Sequence, residues 1–374
     1  MKKGRNGRIR PKLICRSRPL LPDPLKAANI FMERPDLENL DPEILAYIQF
    51  LEGQIEALQD ATAESASRSG PSPLEPQEPP TTQNVITISR SGLAKRTPRH
   101  FYGRQRRGGM GIFDLESPED DPPAFLVLAD VEQHLLLITN LGRMFRLPVN
   151  RIHETPVRGR GQPLFDQLPF SLKEGEEVTA ITADEGGKYL VLFSERGWVR
   201  RVRSNLVGPR MIAGTTFHDV KNGGPLVAAA WADDEEYIFL VTHQGQAIRF
   251  AANQVPVSGC RGMRVPPEDA IFGGAAVNEE SGVFMLGPDG KGTIRLMAGF
   301  RANKAPGAGG KVAMKADRLV ACFAADESND IFIISQLGKI IRFSAEEIPT
   351  KEGVVQGVNC MSLRADETIT AVKG

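Results

Sequence analysis

Short apolar runs, each closed by Ser or Thr, two further residues and Gly, recur along most of the chain. Five copies keep this form, and a sixth, VFMLGPDGKG, keeps the apolar run and the turn but lacks the Ser or Thr. An alternating run follows each turn, so each copy predicts a β-hairpin. The copies are about 49 residues apart, a spacing typical of a four-stranded propeller blade. The turn glycines are Gly92, Gly142, Gly197, Gly245, Gly292 and Gly338.

A single hairpin of this kind cannot bury its own apolar face, so neighbouring copies must stack on one another. A closed ring leaves no copy exposed at an end. We therefore predict an all-β fold, a six-bladed β-propeller or pinwheel over residues 85–374. Ahead of it we predict a basic, disordered arm over residues 1–34, a short amphipathic helix over 35–60 and a flexible linker over 61–84.

The helix prediction depends on its start and its apolar spacing. Asp41 can cap the helix, Pro42 suits the first turn and Glu43 complements the helix dipole. The apolar residues that follow have heptad spacing, and they are Ile44, Ile48, Leu51, Ile55 and Leu58. Self-association through residues 41–60 and packing on the propeller or on a partner both stay open.

Every copy carries an Arg in the second strand of its hairpin. The Arg stands four residues after the turn glycine in five copies and three residues after Gly292 in the sixth. Because side chains alternate across a strand and the neighbouring residues are mostly apolar, we expect these Arg side chains to face outward. Six outward guanidinium groups around a ring suit a curved polyanion, although outward charges can also be merely solvated. The six residues are Arg96, Arg146, Arg201, Arg249, Arg295 and Arg342.

A second glycine follows the turn by 17 residues in five copies, often beside basic residues such as Arg158 and Arg160. Such loops let backbone N–H groups approach phosphate, or they are tight connections that need glycine for their geometry. Both interpretations stay open. These glycines are Gly109, Gly159, Gly214, Gly262 and Gly309, and in the sixth copy Gly353 and Gly357 flank the expected position.

The densest basic cluster, HFYGRQRRGGMG, lies in the first copy between His100 and Gly111. Six hairpins with QRRGGMG in the first resemble the gyrase A C-terminal domain, which is a six-bladed pinwheel, over about residues 85–374. The resemblance implies that this box closes the ring and supports DNA wrapping. It carries over to Gln105, Arg106, Arg107, Gly108, Gly109, Met110 and Gly111 as DNA-binding residues, with Arg104, Arg158 and Arg160 added to the six Arg of the rim.

Met110 stands where the family usually has Lys, which removes one positive charge from the box. We expect DNA binding to be weakened but retained, because one phosphate contact of several is lost.

Composition limits the function classes. The 46 Lys and Arg balance the 46 Asp and Glu, so local basic and acidic blocks decide what binds. The four Cys lack metal-ligand spacing, no apolar run is long enough for a membrane helix, and no phosphate-binding loop motif occurs. Type IIA topoisomerases cleave DNA with a Tyr that follows an Arg. None of the four Tyr does so here, and they are Tyr47, Tyr102, Tyr189 and Tyr237.

The sequence therefore predicts a protein that is not an enzyme on its own and needs no cofactor or metal. We expect it to bind and wrap double-stranded DNA without sequence specificity, in the cytoplasm at the nucleoid. It acts alone or with the core subunits of a separate gyrase or topoisomerase. The alternative is a propeller scaffold that binds a protein partner and has little affinity for DNA.

Overall fold

The computed structural model describes residues 78–167 and 172–374 of the chain. The arm predicted for 1–34, the helix predicted for 35–60 and most of the linker predicted for 61–84 lie outside the described residues. The regular secondary structure of the described part is almost entirely β-strand. It adds one α-helical turn, α1 (Val220–Gly223), and 3₁₀ turns at Arg99–Phe101, Val149–Arg151, Phe165–Gln167, Ser204–Leu206, Ala252–Gln254 and Ala345–Glu347.

The repeated Ser/Thr and Gly build the hairpin turns. In the first turn, Gly92 has a φ of +95° and donates its N–H to the carbonyl of Ser89 over 3.1 Å. The Ser89 hydroxyl accepts the N–H of Leu93 at 3.0 Å, so it satisfies the first donor of the second strand. The same hydroxyl bond forms at Thr139, Ser194, Thr242 and Ser335. The motif is therefore a turn with its own hydrogen-bond acceptor.

The sixth copy differs from the sequence prediction. Gly290, with a φ of +76°, forms its turn, while Gly292 lies in the second strand. The turn has the same length as the others, with Gly287 where the other copies have Ser or Thr, and the N–H of Gly290 donates to the carbonyl of Gly287 over 3.2 Å. Arg295 pairs with Val283 in the fourth pair from the turn, whereas Arg249 pairs with Phe239 in the third, so Ile294 occupies the station that Arg holds in the other hairpins.

Six hairpins form the centre of six sheets, numbered here as blades 1 to 6. Their strands are β1 (Gln83–Ser89) and β2 (Leu93–Pro98), β6 (His134–Thr139) and β7 (Arg143–Pro148), β11 (Tyr189–Ser194) and β12 (Trp198–Arg203), β15 (Tyr237–Thr242) and β16 (Gln246–Ala251), β19 (Gly282–Leu286) and β20 (Lys291–Leu296), and β23 (Asp330–Ser335) and β24 (Lys339–Ser344). All six pairs are antiparallel.

An inner strand pairs with the first strand of each hairpin. In blade order these are β5 (Pro123–Asp130), β10 (Val178–Ala183), β14 (Leu226–Ala232), β18 (Ile271–Val277), β22 (Ala321–Ala325) and β27 (Thr368–Lys373). Each inner strand packs beside the inner strand of the next blade, and β27 packs beside β5. The ring is therefore closed around a central channel of about 640 Å³.

An outer strand completes each sheet, and it always comes from the following repeat. In blade order these are β9 (Gln162–Pro163), β13 (Thr215–Thr216), β17 (Cys260–Arg261), β21 (Lys311–Val312), β25 (Thr350–Lys351) with β26 (Val358–Asn359), and β3 (Ile112–Phe113). The last blade thus receives its outer strand from the first repeat. Beside it, β4 (Leu115–Glu116) pairs in parallel with β8 (Gly159–Arg160).

The hydrophobic core lies between the blades. Ile86 and Ile88 of blade 1 pack with Leu135 and Leu137 of blade 2, whereas the intervening Leu136 packs toward blade 3. Each of the six interfaces has a cluster of this kind. Both faces of each central hairpin are consequently buried.

A buried ion pair holds the seam between the first and last blades. Lys95 Nζ lies 2.6 Å from Asp114 Oδ1, and both side chains are fully buried. Asp114 directly follows β3 and also accepts bonds from Thr87 at 2.7 Å and Tyr102 at 2.6 Å. Burial lowers the pKa of Lys95, an effect that the Asp114 carboxylate opposes. Strands β1 and β2 and the turn that ends at Tyr102 thereby meet at one carboxylate, which directly follows the outer strand of the last blade.

We expect Asp114→Ala to lower the free energy of unfolding by about 3–5 kcal/mol, because it leaves the Lys95 ammonium buried without a counter-charge. Urea unfolding followed by tryptophan fluorescence measures this change. The exposed Asp120→Ala is the control, with an expected change within about 0.5 kcal/mol. Equal midpoints for the two variants would contradict the role given to the pair.

Candidate nucleic-acid interface

The box at Gln105–Gly111 runs from the hairpin of blade 1 across the seam onto blades 5 and 6. The N–H of Gln105 donates to the carbonyl of Arg342 over 2.7 Å, and that of Gly108 to the carbonyl of Cys360 over 2.9 Å. The carbonyl of Gly109 accepts the N–H of Ser362 at 2.9 Å. The box backbone is therefore a clasp between the first and last repeats.

Gly111 shows why this clasp needs glycine. Its φ is +70°, and a Cβ on it would lie 2.6 Å from the carbonyl oxygen of Ile340. The close approach delivers the chain directly into β3, where Ile112 pairs with Ile340.

The side chains of the box divide into two groups. Arg107 is half-buried and donates to the carbonyl oxygens of Glu347 at 3.0 Å and Asn359 at 2.7 Å, so it fastens the clasp. Arg106 is exposed and has no ion-pair partner among the described residues. Arg104 lies 2.8 Å from Asp330 but keeps 57% of its side chain exposed. Met110 is 55% exposed.

The six repeated Arg do not point outward into solvent as the alternation predicted. Arg249 is 2% exposed, Arg342 is 4% exposed and Arg295 is 6% exposed. The side chains of the other three are 10–20% exposed. Five of the six form ion pairs at 2.5–2.8 Å, which join Arg96 to Glu154, Arg146 to Asp184, Arg201 to Asp234, Arg249 to Glu279 and Arg342 to Asp330.

Most of these guanidinium groups also reach into the following repeat. Arg201 donates to the carbonyl of Val255 over 2.7 Å, and Arg249 donates to that of Met297 over 2.9 Å. The corresponding acceptors are Ile152 for Arg96 and Tyr102 for Arg342. Because charge-assisted bonds to backbone carbonyls are strong when buried, these Arg tie successive repeats together.

Arg295 is the exception in chemistry as well as in its turn. Its guanidinium donates to the carbonyl of Ala313 over 3.4 Å, and among the described residues its Nε has no hydrogen-bond partner. It packs 5.8 Å from the centre of the Phe300 ring. Burial lowers its pKa, which the more distant Glu352 opposes.

Exposed cations instead lie close to the outer strands, in the stretch of chain that carries the second glycine. One such residue from each outer connection is named here the outer basic ring, which consists of Arg106, Arg160, Arg210, Arg261, Lys311 and Lys351. Among the described residues, none of the six has a carboxylate partner in an ion pair. Arg158 is also exposed, although Glu116 lies 3.2 Å from it.

The second glycines behave as tight connections where they are most enclosed. A Cβ on Gly262 would lie 2.4 Å from the side chain of Val199, so the chain passes directly against the neighbouring sheet. This close passage holds Arg261 and the exposed Arg264 at the outer edge. The geometric interpretation accounts for Gly262, but it does not extend to every copy, because a Cβ on Gly309 or Gly353 would meet nothing within 4 Å.

Acidic side chains concentrate in the loops that lead from each inner strand to the next hairpin. All these loops lie on one face, because every sheet has the same strand order and successive loops touch, as Lys188 does with Asp234. Their acids are Asp130, Glu132, Asp184, Glu185, Asp233, Asp234, Glu235, Glu236, Glu279, Glu280, Asp326 and Glu327. A net charge of zero thus combines an acidic face with a basic edge.

The family model described as "DNA gyrase C-terminal domain, beta-propeller" matches residues 83–117, 133–183, 236–278 and 329–373. These stretches contain the hairpins of blades 1, 2, 4 and 6, and the first contains the box. The chain is therefore similar in sequence to the DNA gyrase C-terminal domain at four of its six blades. The resemblance and the fold class predicted from the sequence are both confirmed.

Relatives and solved structures show the same similarity. The gyrase A protein of Chlamydia trachomatis is 28% identical over 304 residues, which cover 77% of this chain and 36% of the relative. That of Mycolicibacterium smegmatis is 26% identical over 300 residues, with the same coverage. The chain thus spans about a third of the length of these relatives.

Two solved structures have the same fold. A DNA gyrase A C-terminal domain matches with a TM-score of 0.67 and 20% identity over 78% of this chain and 99% of that domain. The C-terminal domain of a DNA topoisomerase IV matches with a TM-score of 0.55 and 19% identity, over 78% and 93% of the two chains. In the described part of this chain, no helix is long and apolar enough to cross a membrane.

Cys360 offers a probe of the clasp, because it lies directly beneath the box. Burial raises the pKa of its thiol to about 12, so at pH 8 about one thiol in ten thousand is ionised. We expect Arg107→Ala to loosen the clasp and to raise the alkylation rate of Cys360 at least about tenfold. Iodoacetamide labelling with peptide mass spectrometry measures this rate.

Arg106→Ala is the matched control, since the exposed Arg106 side chain forms no hydrogen bond or ion pair with the described residues. Its alkylation rate should equal that of the unsubstituted protein. Equal rates in both variants would show that Arg107 does not fasten the box.

Proposed function

We propose that this gyrase-type propeller binds double-stranded DNA without sequence specificity and wraps it around its outer edge. The observation that carries the proposal is the outer basic ring, with one exposed cation from each connection and no carboxylate partner in the described residues. Cations spaced around a convex edge release counterions from a duplex that follows the edge. They contact phosphate rather than base edges, so they carry no sequence information.

The acidic loops on one face also favour a duplex that follows the outer edge. Carboxylates repel the phosphate backbone, so a duplex is favoured at the edge and disfavoured on that face. Bending a duplex costs several kcal/mol over tens of base pairs, which requires contacts distributed over several blades. The closed ring supplies such contacts at six stations.

We assign the direct phosphate contacts to Arg104, Arg106, Arg158, Arg160 and the other exposed residues of the outer basic ring. The buried Arg249, Arg295 and Arg342 are left out of this set, because a phosphate cannot reach them without displacing their partners. Arg107 and the box glycines serve DNA by holding the seam closed.

The gyrase A relatives are about three times as long as the matched region. We propose that the present chain contributes the DNA-holding part of such a protein and lacks a cleavage centre of its own. It acts either with separate gyrase or topoisomerase core subunits or alone as a DNA-organising protein.

Relaxed plasmid closed by a nicking-closing enzyme in the presence of the protein tests the wrapping. We expect the linking number to shift in the positive direction, in proportion to bound protein. No shift at saturating protein would overturn wrapping. A propeller that binds a protein partner instead would also lack DNA affinity at low salt.

Salt titration of DNA affinity tests the outer basic ring. The double variant Arg160→Gln, Lys311→Gln should reduce the slope of log K against log salt by about 1.8, since each phosphate contact contributes about 0.9. Arg196 and Lys221 are also exposed, but Arg196 lies in a hairpin turn and Lys221 lies in α1, so neither belongs to an outer strand. Changing both to Gln is the control and should leave the slope unchanged. An equal reduction of the slope in both variants would show that DNA affinity depends on the total charge of the protein and not on the outer basic ring.

Met110→Lys tests the departure in the box. A lysine at this exposed position adds a phosphate contact, so we expect the salt slope to steepen by about 0.9 and low-salt affinity to rise. An unchanged slope would show that position 110 does not face the duplex.

A further inference from the structure

Exposed apolar side chains are concentrated on the same edge as the outer basic ring. The connectors are defined as the segments that run from the end of each hairpin through the next outer strand: residues 99–113, 149–163, 204–216, 252–261, 297–312 and 345–359. They contain nine of the ten large hydrophobic residues that are exposed in the described chain, and only Leu337 lies elsewhere. The nine are Phe101, Met110, Ile112, Phe113, Leu206, Ile212, Val257, Val312 and Val354.

These residues alternate with cations. Ile212, which is 77% exposed, stands two residues from Arg210, and Val312, which is 46% exposed, directly follows Lys311. In blade 6, the Phe113 ring lies 5.2 Å from the Lys339 ammonium and 5.8 Å from the Arg158 guanidinium. Five of the six connectors carry both an exposed apolar and an exposed basic residue.

The arrangement does not suit a protein partner. Protein interfaces collect their apolar residues into one contiguous, well-packed patch that excludes water. Here four of the nine apolar residues lie in the first connector, the other five are spread over four further connectors, and each of these five connectors also carries an exposed basic residue. A ligand that meets all five connectors must follow the ring and present apolar surface between negative charges.

We propose that the apolar side chains of the connectors enter the minor groove of the wrapped duplex, between the phosphates held by the outer basic ring. This rests on the proposed function. On a duplex bent around a protein, the minor groove faces inward once every helical turn, and its deoxyribose walls are apolar. Ile212, which is 77% exposed, is the clearest such contact, and Val257 is the exposed apolar residue of the next connector.

The contact has a consequence for DNA preference. The exocyclic amine of guanine projects from the floor of the minor groove and is absent from A·T pairs. An apolar side chain that lies there loses contact where this polar group is present. Wrapping is then favoured on sequences whose inward-facing minor grooves lack the amine, although no side chain reads a base by hydrogen bonding.

Salt titration separates this contact from the ionic ones. We expect the double variant Ile212→Ser, Val257→Ser to weaken DNA binding about three- to tenfold at every salt concentration while the slope stays unchanged. Leu337→Ser is the matched control, since Leu337 is 50% exposed in a hairpin turn outside the connectors. Its affinity should equal that of the unsubstituted protein.

Replacing guanine by inosine in the duplex removes the minor-groove amine and leaves the major-groove pattern intact. The unsubstituted protein should bind the inosine duplex about threefold or more tightly than the guanine duplex. The double variant should lose most of this difference, and Leu337→Ser should keep it.

Two results would overturn the inference: affinity of the double variant within about twofold of the unsubstituted protein, or an inosine effect that the double variant keeps. If the unsubstituted protein still shifts the linking number, such a result removes the minor-groove contact and leaves wrapping in place. Absence of that shift would instead remove the proposed function itself.

Discussion

Each sheet of the propeller is completed by a strand that belongs to the following repeat of the sequence. This exchange makes every blade dependent on its neighbour, because an uncompleted sheet would expose an unpaired edge. Five exchanges follow from simple chain order. The sixth requires Ile112 and Phe113 of the first repeat to reach β24 of the last, where Lys339 and Ile340 are their partners.

The seam that results is held by polar chemistry rather than by apolar packing alone. Lys95 and Asp114 meet without solvent, and Tyr102 and Thr87 occupy the remaining capacity of the carboxylate. Removing two charges from water is costly, so such a pair adds little net stability. It favours a single arrangement of the seam, because any other strand register would leave one of the two charges buried without its partner. The box at Gln105–Gly111 and the Lys95–Asp114 pair together fix the position of blade 1 against blade 6. A continuous outer edge requires this fixed position.

The repeated turns, the hairpins and the number of blades could be read from the sequence because each depends on residues close in the chain, such as Ser89 and Gly92. The orientation of the repeated Arg could not. The alternation of side chains along β16 or β24 assigns residues to the two faces of the strand. It does not tell whether a neighbouring blade covers the face that carries the Arg. In this ring a neighbouring blade covers both faces, and Arg249 and Arg342 are buried.

Other parts of the site depend on contacts between distant residues. Nothing near Asp114 in the sequence marks it as the partner of Lys95, and Arg107 meets Glu347 across 240 residues. The glycine register did lead to the right region, since Gly159, Gly262 and Gly309 lie in the outer connections that carry Arg160, Arg261 and Lys311. At Gly159 and Gly262 the glycine marks a tight passage of the chain, whereas a Cβ on Gly309 would meet nothing within 4 Å.

The offset between repeat and blade also bears on how such a protein can change its size during evolution. Deleting one whole repeat removes three strands from its own blade and the outer strand from the blade before it, yet the repeat that follows can supply a replacement. After such a deletion, the remaining repeats can therefore pair at any repeat boundary except the seam. At the seam, no other repeat provides the outer strand β3 and the carboxylate of Asp114. Gain and loss of blades is tolerable in the interior of the array, while the first and last repeats must be inherited as a pair.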